Sequence, residues 1–277
     1  RVHGDILFHW KNMRYSPAIQ LPSLTSHRYV VPRPASLTLN LYSVFRRVRC
    51  IPSVSPAVSP KPDYKPTPLD DVFLNLFRQK MAEEVGWDSE KPGYDGLIEV
   101  ATRLMSSGKS NTDTKDAAVR ILKSLFPPLL LDLYKKLISP LSNGRVAATM
   151  VARVTAITCQ WLMGICRVNS IELPDGTTIQ SGVFVERCKY LEESKCVGIC
   201  VNTCKLPTQV FFMDSMGVPL VMEPNFVDYS CQFKFGIHPP LPENDEALKG
   251  NCLEICPIAG RRRELSRFSA SGKCPKA

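Results

Sequence analysis

Histidine is scarce in this sequence, and its distribution limits the kinds of metal site that the chain can build. Only four histidines occur among 277 residues, and His238 alone lies beyond residue 30. A site of two histidines and one carboxylate, or of four histidines, therefore has too few ligands in the later part of the chain. A transition metal that is tightly bound there must be held mainly by thiolates.

Long apolar runs and the common catalytic motifs are also missing. The sequence contains no run of 18 or more apolar residues, which excludes a typical transmembrane helix. Its most lipophilic stretch, residues 125–131, is followed by Asp132 and Lys135. That stretch predicts a core helix, with a helix docked on a membrane surface as the alternative. The patterns G-x-S-x-G, H-E-x-x-H, G-x-G-x-x-G and the P-loop do not occur.

Acidic residues are nearly absent from the first part of the chain. Residues 1–62 hold nine basic side chains against the single acid Asp5, a net charge of +8. This segment is rich in Arg, Ser, Thr and Pro, which is typical of an organelle transit peptide. We predict a disordered transit peptide over residues 1–60, for the plastid rather than the mitochondrion, with an untargeted disordered tail as the alternative. Because the first residue is Arg1 rather than Met, we also expect the sequence to be truncated at its front.

The basic charge does not extend into the rest of the chain. The whole chain carries +9, so only +1 remains for the 215 residues after residue 62. A nucleic-acid-binding domain would carry its basic footprint on the folded part. The sequence therefore predicts no nucleic-acid partner. A short basic cluster at residues 261–263 is typical of a solvated tail, which we place at residues 261–277.

The pattern of apolar residues changes along the folded part. Helical periodicity dominates from about residue 70, and a nearly uncharged helix is predicted over residues 146–163, apolar most of the way round and therefore buried. From residue 168 the pattern alternates, with a Pro174-Asp175-Gly176 turn between two strands. We predict an α+β fold that is mostly helical. Residues 61–260 form the main domain, with a helical part at 61–167 and a cysteine-rich part at 168–260.

Cysteine is the residue that this chain has in excess. Eleven are present, ten of them after the predicted transit peptide, and six lie within the 61 residues from 196 to 256. The candidate metal ligands are Cys196, Cys200, Cys204, Cys231, Cys252 and Cys256. Disulfides suit secreted domains and are the least favoured interpretation, since nothing here indicates secretion. Burial as small apolar side chains suits Cys159 and Cys166. For the group of six, a metal or an iron–sulfur cluster is favoured.

The spacing of these cysteines leaves the type of metal open. Thiolate-rich sites suit zinc or iron–sulfur clusters. The four-residue spacing fits structural zinc pairs loosely, and Cys256-Pro257 is similar to the last ligand of a bacterial ferredoxin run. His238 lies in a proline-rich loop, where a surface or packing role is favoured. Its functional alternatives are a further metal ligand and a proton donor.

Six segments of the chain resemble the sequences of one known family, most clearly CVGICVNTCK at residues 196–205. The segments are residues 84–88, 158–164, 190–209, 216–226, 228–236 and 252–257. In them the chain resembles the plastid β-carotene isomerases of strigolactone biosynthesis. The resemblance covers about residues 65–260, and the cysteine framework shows no departure from it.

The resemblance implies an iron-containing enzyme of the chloroplast stroma. Such enzymes interconvert all-trans-β-carotene and 9-cis-β-carotene, an early step of strigolactone biosynthesis. The implied partners are the carotenoid substrate, a plastid membrane in transient contact, and carotenoid cleavage enzymes that use the product. The resemblance favours iron over zinc as the cofactor and leaves an iron–sulfur cluster possible. The alternative is a non-catalytic iron–sulfur or zinc-binding scaffold, or an electron-transfer protein.

Two chemical routes to bond rotation follow from these residues. A cysteine-bound iron would lower the order of a polyene double bond by reversible one-electron exchange. A protonation route needs an acid beside the polyene, and the candidate catalytic residues are His238, Glu223 and Asp228. A 40-carbon hydrocarbon also needs a long apolar groove. Trp161 and Met163 are candidates to line it, although a plain core position is favoured for both.

Overall fold

The computed structural model describes residue 64, residues 66–107 and residues 110–256. The predicted transit peptide and the predicted tail at residues 261–277 lie outside the described residues. So does Pro257 of the Cys256-Pro257 pattern.

Four helices open the described part of the chain: α1 (Pro68–Val85), α2 (Gly93–Ser107), α3 (Asn111–Ser124) and α4 (Leu130–Leu137). Capping fixes the starts of α1 and α3. Thr67 and Asp70 form a capping box at α1, and Ser110 and Asp113 form one at α3. The apolar faces of α1, α2 and α3 then meet in a shared core.

The expectation that residues 125–131 begin a core helix is wrong. Helix α4 contains no buried residue, and Leu130, Leu133 and Leu137 are exposed to solvent. Pro127 and Pro128 end the preceding helical region before α4 begins, because proline lacks the amide donor that a continuous helix needs. Leu129 and Leu130 of this segment are therefore exposed, whereas Leu131 is half-buried and packs against the core.

The predicted long helix at residues 146–163 is two helices, α5 (Arg145–Thr158) and α6 (Gln160–Met163). The backbone leaves helical geometry at Cys159, with φ −110° and ψ 6°. The prediction of burial all round is also wrong, because α5 buries only one face. That buried face is made of small residues: Ala147, Ala148, Val151, Ala152, Thr155 and Ala156.

A four-stranded antiparallel sheet follows, made of β1 (Cys166–Glu172), β2 (Thr178–Val185), β3 (Leu220–Pro224) and β4 (Cys231–Phe235). Its strand order is β1-β2-β4-β3. The first two strands form the predicted hairpin, and β4 inserts between β2 and β3. This architecture confirms the predicted α+β, mostly helical fold.

Between β2 and β3 the chain forms a run of short helices: α7 (Lys189–Ser194), α8 (Val197–Ile199), a π-helical segment (Cys200–Lys205) and α9 (Leu206–Met216). Two 3₁₀ turns, Pro242–Asn244 and Glu246–Lys249, come after β4. None of the helices in the described ranges is long and apolar enough to cross a membrane.

The two faces of the sheet have opposite character. Strand β4 alternates in burial, with Cys231, Phe233 and Phe235 buried and Gln232 and Lys234 partly exposed. Antiparallel pairing places Val183 and Met222 opposite Phe233, hence on the same face. This apolar face joins the helices in one core that spans both the helical and the cysteine-rich parts. It is the face that meets the functional site.

Candidate functional site

The cysteine-rich helical run begins with an irregular backbone. Cys196 caps α8 in extended geometry, and residues Cys200–Lys205 then adopt π-helical turns before α9 starts. A π-helix is rare and frequently occurs at functional sites. Here it brings Cys200, Cys204 and Lys205 to the same side of the run, where all three line one cavity.

That cavity is small and largely enclosed, with a volume of about 10 Å³. It has walls from α6, α7, the π-helical segment, β3 and β4. The residues that line it are Met163, Cys188, Tyr190, Leu191, Cys200, Cys204, Lys205, Met222, Pro224, Cys231 and Phe233. Four of these are cysteines. A buried apolar chamber thus presents four thiols together with one lysine and one tyrosine.

The sheet contributes its wall through strand register. Pro224 pairs with Cys231 and Met222 pairs with Phe233, so all four side chains share the buried face. Glu223 lies between Met222 and Pro224 and therefore points to the opposite face. There it pairs with Lys234, with an Nζ–Oε2 distance of 2.8 Å. The alternation of the strand separates Glu223 from the cavity.

Burial keeps the cavity thiols in their neutral form. Desolvation raises the pKa of Cys188, Cys200, Cys204 and Cys231, and the neighbouring thiols raise the pKa of Cys200 further. The Lys205 ammonium opposes this shift at Cys200 and Cys231. A cation in the cavity would favour the thiolates in the same way.

Tyr190 is held by a hydrogen bond at the edge of the same chamber. The Thr203 hydroxyl donates to the Ile199 carbonyl oxygen at 2.7 Å. The Tyr190 hydroxyl, 2.8 Å from Thr203 Oγ1, is therefore the donor in that pair. Burial raises the pKa of Tyr190, so it stays protonated.

Lys205 is the one lysine among the buried side chains of the described residues. Its ammonium forms an ion pair with Asp245 and donates to Gln209 Oε1 at 3.4 Å. The same Gln209 oxygen accepts from the backbone amide of Met222 at 2.9 Å. This network connects the cavity to β3 and to the 3₁₀ turn that follows Asp245. The network holds the Lys205 ammonium group beside the cavity thiols.

The six predicted ligands are divided by the structure. Cys200, Cys204 and Cys231 line the cavity. Cys196 lies just before α8, and Cys252 and Cys256 follow the last 3₁₀ turn; none of these three is among the lining residues. All nine cysteines in the described ranges are thiols rather than disulfides.

The three predicted acids lie away from the cavity. His238 borders a different, open groove beside Arg145, Ala148 and Leu173. Asp228 sits in an exposed loop, where it accepts from the Ser230 amide at 2.8 Å. Glu223 pairs with Lys234, as described above. Their catalytic role stays a prediction.

The sequence analysis missed three residues that the structure brings to the site, Cys188, Tyr190 and Lys205. Met163, which it named as a candidate groove residue while favouring a plain core position, also lines the cavity. Cys188 stands eight residues before Cys196 with no cysteine between them, so the run of four-residue steps from Cys196 to Cys204 did not include it. Its backbone amide donates to the Tyr229 carbonyl at 2.7 Å, which ties it to the approach to β4. Lys205 follows Cys204 directly and offers no signal of burial in the sequence. Trp161 packs against Phe77 instead, at 5.7 Å between ring centroids.

The donor chemistry of the cavity fits a thiolate-bound metal. Four thiols share one chamber, and soft thiolates suit iron–sulfur or zinc sites. Among the residues that the structure describes, however, no three Cys, His, Asp or Glu side chains are already drawn together as a ligand set. The chamber thus has the right donors without a preformed coordination geometry.

Comparison with known proteins points to one class, the plastid carotenoid isomerases. Residues 161–244 match the family model described as "Beta-carotene isomerase D27-like, C-terminal". A relative from Medicago truncatula, "Beta-carotene isomerase D27, chloroplastic", is 34% identical over 194 residues, which is 70% of this chain and 75% of the relative. The Arabidopsis thaliana protein of the same name is 35% identical over 190 residues, covering 67% and 69%.

The chain therefore belongs to the D27-like β-carotene isomerase family, as its sequence segments predicted. No solved structure gives a significant match.

Proposed function

We propose that this protein is a chloroplast enzyme that interconverts all-trans-β-carotene and 9-cis-β-carotene. One observation carries the proposal: every residue that lines the thiol cavity lies within residues 161–244, the region matched by the isomerase family model. Both relatives are described as chloroplastic β-carotene isomerases, which supports the substrate class and the location. The reaction would serve as an early step of strigolactone biosynthesis.

We further propose iron as the cofactor, held by thiols of the cavity. Cys200, Cys204 and Cys231 belong to the predicted ligand set, and Cys188 joins them on the cavity wall. When bound, such a centre supplies reversible one-electron exchange, which weakens a polyene double bond enough for rotation. The apolar walls exclude water from the reacting bond, and Lys205 holds a fixed positive charge beside it.

The chamber must widen to admit its substrate. Pockets for ligands of drug size occupy about 300–1,000 Å³, and a 40-carbon hydrocarbon needs a space of that order. The enclosed cavity offers about 10 Å³. Side chains of the surrounding core must therefore move when the hydrocarbon enters. We propose that the substrate comes from a plastid membrane in transient contact and that the product passes to carotenoid cleavage enzymes.

The direct test is an isomerisation assay. Protein lacking residues 1–60, purified without oxygen, is incubated with all-trans-β-carotene, and the isomers are resolved by chromatography. We expect the 9-cis fraction to rise above that of a heat-killed control. Iron in the sample with no change in isomers would overturn the proposed substrate and favour the scaffold function.

The thiol cavity is tested by a pair of matched substitutions. Cys200→Ser with Cys204→Ser should remove both bound iron and isomerase activity, because two cavity thiols are lost. Cys166→Ser is the control: Cys166 is also buried, but its thiol donates to the Gly164 carbonyl at 3.1 Å and does not line the cavity. Serine can keep that hydrogen bond, so iron content and activity should persist. Retention of both by the double variant would rule out the proposed iron site.

A further inference from the structure

Helices α4 and α5 expose an unusual number of large apolar side chains. On α5 the exposed residues recur at positions 146, 150, 154 and 157, which is one face of a helix. On α4 they recur at positions 130, 133 and 137. We refer to these residues, with three neighbours, as the apolar surface: Phe126, Leu129, Leu130, Leu133, Leu137, Leu141, Val146, Met150, Val154 and Ile157.

The two helices of this surface are adjacent. The Tyr134 hydroxyl on α4 donates to the Ala147 carbonyl on α5 at 3.1 Å. Leu141 begins the 3₁₀ turn Leu141–Gly144, which lies between α4 and α5 and immediately precedes α5. Monomeric soluble proteins rarely leave large apolar patches exposed, and such patches mark interaction sites.

The charge around the apolar surface has mainly one sign. Helices α4 and α5 together carry Lys135, Lys136 and Arg153 against the single acid Asp132. A fourth basic residue, Arg145, is paired with Asp175 and therefore does not add to this excess. This differs from the part of the chain after residue 62, which carries only +1 in total. A combination of apolar side chains and basic residues is complementary to a bilayer with anionic headgroups. Lysine and arginine can keep their charges at the headgroups while their stems lie along the apolar region.

An aromatic path leads from this surface to the thiol cavity. Phe126 borders an open groove of about 600 Å³ beside α9. Its ring stacks on Phe211 at 5.5 Å between centroids, and Phe211 contacts Phe212 at 5.3 Å. Phe212 contacts Phe235 at 5.2 Å, and Phe235 lies 6.3 Å from Phe233, which lines the cavity. Five rings thus form a continuous apolar connection across the core.

We propose that the apolar surface docks on a lipid bilayer with anionic headgroups and that the hydrocarbon enters at Phe126, along the aromatic path. The proposal of membrane docking is supported by the contacts and charges described above. The proposal that a carotenoid enters there rests in addition on the proposed function. In this arrangement α4 and α5 lie in the plane of the membrane. The groove at Phe126 then opens toward the lipid, where a hydrocarbon substrate is dissolved.

Docking is tested first without any carotenoid, using flotation of the full chain with vesicles of phosphatidylcholine and phosphatidylglycerol. Leu133→Glu with Leu137→Glu places two charges on the surface, at side chains that are 56% and 58% exposed. Leu69→Glu with Val72→Glu is the matched control on α1, at 59% and 60% exposure. We expect the α4 pair to weaken vesicle binding by at least about tenfold and the α1 pair to leave it unchanged.

A second variant, on α5, shows whether a loss of binding by the α4 variant comes only from local unfolding of α4. Val154→Glu with Ile157→Glu on α5 should weaken vesicle binding in the same way. Equal binding by all variants would overturn the proposal, since the attachment would then reside in another part of the chain. The proposal would also be overturned if the wild type sediments as a dimer and both double variants, on α4 and on α5, sediment as monomers. The apolar surface would then be covered by a second copy of the chain.

The entry route is tested by changing how β-carotene is delivered. With carotene in vesicles, Leu133→Glu with Leu137→Glu should lose most isomerase activity. With carotene in detergent micelles, the same variant should match the wild type, because no bilayer is involved. Equal loss in both assays would overturn the entry route. A wild type that is inactive in both would instead reject the proposed function, while the vesicle flotation result would still stand.

Discussion

Lys205 and Asp245 form an ion pair that is almost completely removed from water, at 1% and 8% side-chain exposure. A buried charge is tolerated only with a partner that compensates its lost hydration. Lys205 gains this from Asp245 and Gln209, while Asp245 also accepts from the Ala247 amide at 3.1 Å. The pair therefore couples the thiol cavity to the segment after β4.

Lys205→Met should destabilise the protein by about 3–5 kcal/mol, because it leaves Asp245 buried without a counter-charge. The double variant with Asp245→Asn should be less destabilised than Lys205→Met alone, since asparagine is neutral and can still accept from the Ala247 amide. Urea unfolding of the two single variants and the double variant measures this. Additive costs would contradict the ion-pair interpretation.

Asp175, in the turn between β1 and β2, makes a contribution to the stability of the folded protein that depends on pH. Hydrogen bonds from the Thr177 hydroxyl at 2.5 Å and the Thr177 amide at 3.0 Å, with Arg145 at 2.5 Å, lower its pKa to about 2. Because the folded-state pKa is depressed, the stabilisation is present above the unfolded value of about 3.9. It is lost as the pH falls through about 2.

Asp175→Asn should therefore lower the melting temperature at pH 7, where the carboxylate is ionised in both states. The difference from the wild type should shrink steadily as the pH falls from about 5 toward 2. Thermal melts of both proteins at a series of pH values measure it. A difference that stays constant with pH would show that the charge of Asp175 is not responsible.

At the scale of elements, the ends of two helices show how close packing adds to backbone geometry. Gly86 ends α1 and Gly217 ends α9, both with φ of 70°. A side chain at either position meets the same left-handed strain. A Cβ at Gly86 would touch nothing within 4 Å, whereas one at Gly217 would lie 2.6 Å from Ser139 Oγ.

Gly86→Ala should lower the free energy of unfolding by about 1 kcal/mol, because only the strain of a left-handed backbone at a residue with a side chain opposes it. Gly217→Ala should cost about 1–3 kcal/mol more, because the connection between α9 and β3 must also move away from Ser139. The Ser139 hydroxyl donates to the Gly217 carbonyl at 2.7 Å, so that hydrogen bond would be disturbed as well. Urea unfolding of the two variants compares them directly, and equal costs would contradict the steric argument.

At the scale of the whole molecule, the core and the apolar surface differ in how firmly they are held. Strands β2 and β4 occupy the middle of the sheet and include Val183, Val185 and Phe235, which are fully buried. Helix α4 buries no residue. Segments with few buried contacts open at a lower free energy than the core does.

Hydrogen exchange should therefore be fast in α4 and slowest in β2 and β4, as measured by mass spectrometry on the free protein. Addition of vesicles should slow the exchange of α4 and of the exposed face of α5, leaving β2 and β4 unchanged. Exchange in α4 as slow as in α2 would show that a stable cover is already present on the apolar surface.

Local patterns in the sequence determined much of this protein. Helical periodicity placed the start of the helical part near residue 70, close to the start of α1 at Pro68, and the Pro174-Asp175-Gly176 turn located the hairpin. The six shared segments identified the family, which the comparisons confirm. These features depend on neighbouring residues, so they can be inferred from the chain alone. The predicted domain boundaries, the iron cofactor and the roles of His238, Glu223 and Asp228 stay predictions.

Tertiary structure alone decided which side chains meet. Cys188, at the start of α7, and Cys200, in the π-helical segment, share a cavity with Cys231 because both helical segments pack on the buried face of β4. The sequence separations of these three cysteines do not predict that they meet. Strand alternation turned Glu223 away from the same cavity. Leu130, Leu133 and Leu137 of α4 lie outside because the core is already filled by the faces of other helices. An apolar residue signals burial against some surface, and only the assembled fold determines whether the chain supplies that surface itself.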